Sequence, residues 1–224
     1  MIISHRLKYV FIHIPKTGGT SVRDILTHNN KFSCDVISHW DTITEEQFRS
    51  FPRVSRDLKC HHGVRRAKEY FDENNLDWDS YFKFSFMRNP YDLHVSNYHY
   101  LHQVVGKKNR NTEEQEETYK NATSFEGYLN DLKRSRAGFQ DIYIRDEGEV
   151  KVDFIGKLET MELDWKRIVD TILPKEIITE KEYKIPYLNK TKHKHFSEYY
   201  TPELTNLVNK ACEMDFKVGG YKMS

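Results

Sequence analysis

The pattern of apolar and polar positions predicts strands that alternate with helices. Residues 9–14 form an almost unbroken apolar run, which is typical of a strand buried on both faces of a parallel sheet. Residues 81–87 alternate between apolar and polar side chains, so we expect a strand that is buried on one face only. Residues 152–158 predict a further strand.

Apolar residues at helical spacing come after these strands. Val22, Ile25 and Leu26 mark one face of a first helix. Near the end of the sequence, Thr201 can cap a last helix in which Pro202 takes the first position. This order of strands and helices predicts an α/β fold.

Two polar stretches lack a clear period. Residues 29–59 are irregular and predict only a weak helix over residues 45–51. Residues 106–121 are charged and predict a mobile loop or lid.

Length, charge and cysteine content restrict the class of protein. A chain of 224 residues without a linker-like stretch predicts a single domain, residues 1–224. The formal charge of +1 argues against a general nucleic-acid partner. No apolar run approaches the ~20 residues that span a bilayer, and the first strand is too short for a signal peptide. Three scattered cysteines without a CxxC pair predict reduced thiols and a cytoplasmic protein. Nothing in the sequence specifies an oligomeric state.

The candidate chemistry begins where the first strand ends. Seven residues join this strand to the first helix: Pro15, Lys16, Thr17, Gly18, Gly19, Thr20 and Ser21. The two glycines allow a tight turn and close approach to a ligand, while the start of a helix favours an anion. The lysine adds a positive charge and the hydroxyls add donors. Because the lysine precedes both glycines, the pattern is not a Walker A loop. The stretch predicts a phosphate site.

A second polar turn ends the second strand. Arg88 precedes Asn89 and Pro90, which can cap and open a helix. The guanidinium of Arg88 can bind a phosphate through two parallel hydrogen bonds, and Ser96 lies nearly two helical turns further on. An alternative interpretation makes Arg88 the ion-pair partner of Asp92.

Together, these two motifs resemble the loops of PAPS-dependent sulfotransferases. The first resembles the loop that holds the 5′-phosphosulfate of PAPS (3′-phosphoadenosine 5′-phosphosulfate). The order Arg-Asn-Pro-Tyr-Asp followed by Val-Ser-x-Tyr resembles the 3′-phosphate site. Further similarities at residues 78–84, 153–159, 188–201 and 215–221 extend the resemblance over nearly the whole chain. They point to the branch that contains carbohydrate sulfotransferases and their soluble bacterial relatives.

The resemblance implies a P-loop-like three-layer fold with a central parallel sheet flanked by helices. It also implies PAPS as the cofactor, PAP as the product and no metal. The implied cofactor-binding residues are Lys16, Thr17, Gly18, Gly19, Thr20, Ser21, Arg88, Ser96, Asn189 and Lys190. The chain departs from the family at Leu93 and His94, where the family usually has Arg-Leu. The missing arginine is expected to alter a local ion pair or the nucleotide pocket.

Sulfuryl transfer to a hydroxyl acceptor also needs charge stabilisation and a base. Lys16 is the natural group to stabilise charge on the leaving phosphate. Histidine suits the role of base because its unperturbed pKa is ~6.5. The family register places His61 at the catalytic base and leaves His62 as the substitute. A structural role for either histidine is the competing interpretation.

The resemblance implies a carbohydrate or a small-molecule alcohol as the acceptor, but other functions compete with sulfuryl transfer. A P-loop-type small-molecule kinase is one alternative, although the lysine after the glycines and the acidic metal ligands are not evident. A non-catalytic PAP- or nucleotide-binding protein is another, and a nucleic-acid module built on residues 107–110 is a third.

Overall fold

The computed structural model describes residues 1–39, 53–104, 120, 122–131, 139–186, 188 and 193–224. The chain forms two compact units. The first comprises Met1–Met87 and Ile142–Asn189, and the second comprises Arg88–Asp141 and Lys190–Ser224. The single domain expected over residues 1–224 stays a prediction.

The first unit contains a central sheet and a separate pair of short strands. The strands are β1 (Ile2–Ser4), β2 (Tyr9–Ile12), β3 (Val36–His39), β4 (Val54–Lys59), β5 (Phe82–Met87), β6 (Arg145–Asp146), β7 (Glu149–Val150) and β8 (Phe154–Lys157). The sheet order is β4-β3-β1-β2-β5-β8, while β6 and β7 form a separate antiparallel pair. Strand β1 is antiparallel to both neighbours, and every other pairing in the sheet is parallel.

Helices follow strands or groups of strands along the chain. They are α1 (Gly19–His28), α2 (Val64–Glu73), α3 (Pro90–Val104), α4 (Phe125–Asp131), α5 (Asp141–Ile144), α6 (Met161–Ile172), α7 (Glu180–Tyr183), α8 (Pro202–Ala211) and α9 (Glu213–Gly219). The predicted α/β fold with a mostly parallel central sheet and flanking helices is confirmed. The structure adds the short antiparallel strand β1, which the sequence did not reveal.

One face of the sheet packs against α1 and α6. The buried side chains of this core include Tyr9, Phe11, Phe84 and Phe86 from the strands and Val22, Ile25, Trp165 and Ile168 from the helices. Trp165 is fully buried, and its indole N–H donates to the Glu182 carbonyl oxygen at 2.9 Å. The hydrophobic effect therefore fixes α1, and with it the preceding loop, against the middle of the sheet.

Strand β5 is buried on both faces, so the expectation of half-burial was wrong. Lys83 is only 7% exposed and pairs with Asp153 at 3.1 Å. Ser85 is fully buried, and its hydroxyl donates to the Ile12 carbonyl oxygen at 2.8 Å. Polar side chains lie on the second face of β5 because each finds a partner there, which removes the cost of burying it.

The expectation that residues 29–59 are irregular was also wrong where the structure describes them. Strands β3 and β4 lie in this stretch and pair in parallel. Most of β4 is exposed or half-buried, so it lacks the apolar alternation that identifies a strand in sequence. The weak helix expected over 45–51 lies outside the described residues. So does the loop expected over 106–121, apart from residue 120.

The second unit is helical in its described part. Its buried side chains include Tyr91, Val95, Tyr128, Leu129, Val208 and Phe216. Thr201 caps α8 as predicted, because its hydroxyl accepts from the Leu204 N–H at 3.4 Å and Pro202 is the next residue. Among the described helices, none is long and apolar enough to cross a membrane. All three cysteines are free and buried, as expected for reduced thiols.

His94, one of the two departures from the family pattern, is a core residue of the second unit. It is fully buried, and its ring nitrogens lie 3.2 Å from the Tyr128 hydroxyl and 3.2 Å from the Cys212 sulfur. Burial lowers the pKa of His94 to about 4, so the ring is neutral at pH 7. The substitution places a hydrogen-bonded neutral side chain in the helical core.

Candidate functional site

The loop of residues 15–21 has the backbone geometry of a helix-opening turn. Gly18 is the N-cap of α1 with φ of 81°, and the cap residue makes no side-chain hydrogen bond. Lys16 also has a positive φ, 63°. The Ser21 N–H donates to the Gly18 carbonyl oxygen at 3.0 Å, which starts the helix. The N–H groups of Gly19 and Thr20 precede this first helical bond, and no acidic residue lies in the first turn.

Both glycines lie close to side chains of the first unit, and Gly18 also has a positive φ that disfavours any side chain. A Cβ on Gly18 would lie 2.5 Å from the Met161 methyl group and 2.8 Å from a Leu158 methyl group. A Cβ on Gly19 would overlap the ring of His13. The sequence suggested that the glycines let a ligand approach closely. In the structure they also let the protein's own side chains approach the loop.

Two of the predicted hydroxyl donors bond to the protein itself. Thr17 is buried, and its hydroxyl donates to the Ile14 carbonyl oxygen at 3.0 Å. The buried Ser21 hydroxyl oxygen accepts from the Leu188 N–H at 3.0 Å. Thr20 and Lys16 are half-buried. The Thr17 hydroxyl therefore stabilises the loop itself.

His61 and His62 lie just after β4 and have different environments. The His61 Nδ1 lies 3.1 Å from the His13 carbonyl oxygen. A carbonyl oxygen can only accept, so Nδ1 carries the proton and Nε2 has the lone pair in the neutral ring. The His62 Nδ1 instead accepts from the Lys59 N–H at 3.0 Å. That bond stabilises the turn and puts the neutral ring's proton on Nε2.

His13 lies between His61 and the loop. Its ring is 4.7 Å from that of His61, centroid to centroid, and contacts Gly19. His13 is buried, with 3% of its surface exposed. Desolvation, reinforced by the nearby His61, lowers the pKa of His13 well below its usual value. A neutral His13 therefore supports both the loop and the candidate base by packing.

A set of possible metal ligands includes these two histidines. Within the described ranges, His13, Cys60 and His61 form the one group of three such side chains, with donor atoms within 4.8 Å of one another. The His13 Nδ1 and the Cys60 sulfur are already hydrogen-bonded at 3.1 Å. Burial raises the pKa of the Cys60 thiol, so a metal ion would have to displace its proton. The absence of a metal from the chemistry stays a prediction.

The second turn, at the start of α3, combines a guanidinium with a side-chain cap. The Asn89 side-chain oxygen accepts from the Tyr91 N–H at 3.0 Å, which confirms the predicted cap. Arg88 contacts Asp92 through Nη2 at 2.6 Å and through Nε at 2.8 Å. The ion pair named as the alternative interpretation is therefore present. It does not exclude a ligand, because a guanidinium has five N–H donors.

Ser96 is fully buried in α3. Its hydroxyl is the only buried side-chain oxygen or nitrogen among the described residues without a hydrogen-bond partner. Leaving such a group unsatisfied costs about 1–3 kcal/mol. A ligand oxygen that bonded to this hydroxyl would recover that cost. Asn189 and Lys190, the remaining predicted cofactor contacts, lie outside the described residues.

Sequence reasoning missed two residues that bear on the second turn. Gln140 contacts the backbone of Arg88, and the Asp215 carboxylate contacts the backbone of Gln140 and Asp141. Asp215 lies in a stretch that resembles the family, which was a weak signal for its importance. Gln140 lies in a stretch without any recognisable motif.

The comparisons with known proteins agree with this description. The model of the sulfotransferase family matches residues 1–222, and the chain therefore belongs to the sulfotransferase family. No curated protein matches it. The crystal structure of mouse sulfotransferase SULT7A1 complexed with PAP is similar, with a TM-score of 0.52 and 13% sequence identity. The match covers 97% of this chain and 88% of that one. At this identity the likeness concerns the fold, and it confirms the predicted P-loop-like architecture.

Proposed function

We propose that the protein transfers the sulfuryl group of PAPS to a hydroxyl group of a carbohydrate or small-molecule alcohol. The observation on which the proposal chiefly depends is the start of α1. Its first N–H groups come after a glycine cap without a side-chain acceptor, and Lys16 stands two residues before that cap. A helix start with a nearby ammonium favours a dianionic group such as a 5′-phosphosulfate.

The proposed reaction assigns the developing charges to these groups. The acceptor oxygen attacks the sulfur while the bond from sulfur to the bridging oxygen breaks. The bond's electron pair leaves with PAP, where Lys16 and the α1 N–H groups stabilise the negative charge. The acceptor's proton passes to a base.

His61 is the proposed base. Its Nδ1–H donates to the His13 carbonyl oxygen, so Nε2 carries the lone pair that can accept a proton. His62 remains the substitute. Its Nδ1 is occupied by the Lys59 N–H, which is why we favour His61.

Arg88 and Ser96 are the proposed ligands of the 3′-phosphate. The guanidinium can form charge-assisted hydrogen bonds to a phosphate. The buried Ser96 hydroxyl, which has no partner among the described residues, supports the same role. Asn189 and Lys190 are retained as proposed cofactor contacts on the family resemblance alone.

The remaining alternatives differ in what they predict for PAP. A small-molecule kinase would need magnesium, and a non-catalytic homologue would bind PAP without turnover. We favour turnover because both a charge-stabilising lysine and a candidate base belong to the first unit. The buried free cysteines support a cytoplasmic location.

Two measurements test the proposal. Calorimetry with PAP measures binding, and sulfur-labelled PAPS with a panel of sugars and simple alcohols measures transfer. We expect PAP binding in magnesium-free buffer and labelled product with at least one alcohol. No PAP binding at millimolar concentration would overturn the proposal. Binding without transfer to any acceptor would favour the non-catalytic alternative, and turnover lost in EDTA and restored by magnesium would favour the kinase.

The base is tested by paired substitutions. His61→Ala should lower kcat by roughly 100- to 10,000-fold, the usual contribution of a positioned base, while PAP affinity stays nearly unchanged. His62→Ala is the matched control and should remain active. The reverse result would assign the base to His62, and full activity of the double variant would exclude both.

A further inference from the structure

The Arg88 peptide is held by a single side chain from another part of the second unit. Gln140 is fully buried. Its Oε1 accepts from the Arg88 N–H at 2.7 Å, and its Nε2 donates to the Arg88 carbonyl oxygen at 2.8 Å. One amide group thus satisfies both backbone polar groups of Arg88, as a neighbouring strand would. This arrangement restricts rotation of the residue that bears the guanidinium.

Gln140 is in turn held by a carboxylate from α9. Asp215 is 1% exposed, and both of its oxygens accept from the Gln140 N–H at 3.0 Å. One oxygen also accepts from the Asp141 N–H at 2.7 Å. Burial raises the pKa of Asp215 to about 7, and the nearby Asp141 acts in the same direction. Burying a carboxylate costs free energy, and the N–H groups of Gln140 and Asp141 offset part of that cost.

Tyr91, in the first turn of α3, also forms hydrogen bonds to residues far away in the sequence. The Tyr200 hydroxyl donates to the Tyr91 carbonyl oxygen at 2.9 Å. The Tyr91 hydroxyl donates to Asn209 and accepts from the Ser224 N–H at 2.9 Å. The start of α3 is therefore fixed by polar contacts to Gln140, Tyr200, Asn209 and Ser224 in addition to its own helical bonds.

We propose that Gln140 and Asp215 are positioning residues for the 3′-phosphate of the nucleotide. They act through the Arg88 backbone and set the direction of its guanidinium. This inference rests on the proposed function, since it assumes that Arg88 binds the 3′-phosphate. Neither residue needs to touch the ligand.

A positioning role differs from a general stabilising role in one measurable respect. Loss of stability would weaken the binding of every nucleotide alike. Loss of positioning should weaken only those nucleotides that have a 3′-phosphate. PAP and AMP form the required pair, because AMP has the 5′-phosphate and lacks the 3′-phosphate.

The experiment measures Kd for PAP and for AMP by calorimetry on the full chain. The wild type should bind PAP more tightly, and Arg88→Ala should remove most of that preference. Gln140→Leu should lose roughly tenfold in PAP affinity, the effect of about one charge-assisted hydrogen bond, with AMP affinity nearly unchanged. Asp215→Asn, which keeps the volume and one acceptor oxygen, should show a smaller loss with the same selectivity.

Two controls separate positioning from stability. Leu129→Ala truncates a fully buried side chain of the same unit. It should lower the melting temperature while keeping the preference for PAP. The double variant Gln140→Leu, Arg88→Ala should bind PAP no more weakly than Arg88→Ala alone, because coupled residues are not additive.

The outcomes are distinguishable. If the wild type shows no preference for PAP over AMP, the assignment of the 3′-phosphate to Arg88 fails, and the inference fails with it. If the wild type and Arg88→Ala behave as expected but both positioning variants keep the full preference, the inference alone is overturned. Should Gln140→Leu fail to fold, Asp215→Asn decides the question.

Discussion

The two helix starts proposed to bind phosphate groups solve the same problem by different means. At α1 the cap is Gly18, which has no side chain to offer, so no cap side chain accepts from the first N–H groups. At α3 the Asn89 side chain accepts from the Tyr91 N–H, and the guanidinium of Arg88 and the hydroxyl of Ser96 are the proposed ligand donors. The α1 start would combine backbone N–H groups with the Lys16 ammonium, whereas the α3 start would use side chains alone.

This difference bears on what each start can do. Backbone donors move little, so they suit a position where charge develops during the reaction. A guanidinium on a flexible side chain has to be held by other groups, here Asp92 and, through the backbone, Gln140. We therefore expect the α1 start to contribute mainly to turnover and the α3 start mainly to affinity.

The largest expected effect tests this division directly. Lys16→Ala should lower kcat by roughly 100- to 1,000-fold, as when one oxyanion-stabilising donor is removed, and should change PAP affinity less. Arg88→Ala should weaken PAP binding and leave kcat at saturating PAPS nearly intact. Steady-state kinetics with labelled PAPS measures both. An unchanged kcat in Lys16→Ala together with a lost kcat in Arg88→Ala would reverse the comparison.

The next effect concerns the stability of the α1 start. Gly19→Ala should destabilise the protein by about 1–3 kcal/mol, because the new methyl group overlaps the His13 ring. Alanine normally stabilises a helix relative to glycine, so the sign of the effect is diagnostic. Denaturant unfolding measures it, with Thr20→Ala in the same helical turn as the control. A stabilised Gly19→Ala protein would show that His13 does not pack as described.

A smaller effect is expected at the α3 start. Ser96→Ala removes a buried hydroxyl without a partner in the described structure, so the melting temperature of the ligand-free protein should stay the same or rise. PAP affinity should fall by roughly tenfold, about 1.4 kcal/mol. Thermal unfolding with and without PAP measures both quantities. A lower melting temperature without PAP would show that the hydroxyl already has a partner.

The smallest expected effect at pH 7 concerns His94, a buried residue of α3. Because burial lowers the pKa of His94 to about 4, the unfolded chain binds a proton at higher pH than the folded protein does. His94 therefore reduces stability as the pH falls from about 6.5 to about 4. His94→Leu should flatten this part of the stability curve, measured by urea unfolding at several pH values. Leu129→Ala, which truncates a buried side chain that cannot titrate, is the control and should leave the slope of the curve in this pH range unchanged.

Elements that depend on local periodicity were largely predictable from the sequence. Strand β2, the loop, α1 and α3 with its Asn89 cap are all where the patterns place them. Strands β1 and β3 could not be predicted, because each has only two consecutive apolar residues before a polar one, whereas the apolar run at residues 9–14 extends beyond β2 itself. These residues form strands because their backbones pair within the sheet, including with each other.

The candidate site was predictable as far as it consists of contiguous motifs, namely the loop and the Arg88 turn. The contacts of Gln140 and Asp215 join residues 52 and 75 positions apart, and no local pattern encodes such a pairing. The distinction between His61 and His62 likewise depends on which ring nitrogen meets a carbonyl oxygen and which meets an N–H.

The contacts of the two glycines in the loop imply separate evolutionary constraints. The space beside Gly19 is taken by the ring at position 13, so relatives with a small residue at position 13 should tolerate alanine at position 19. Position 18 should vary less, because its positive φ disfavours any side chain even where positions 158 and 161 are small. An alignment of close relatives would then show covariation between positions 13 and 19, and near-invariance at position 18.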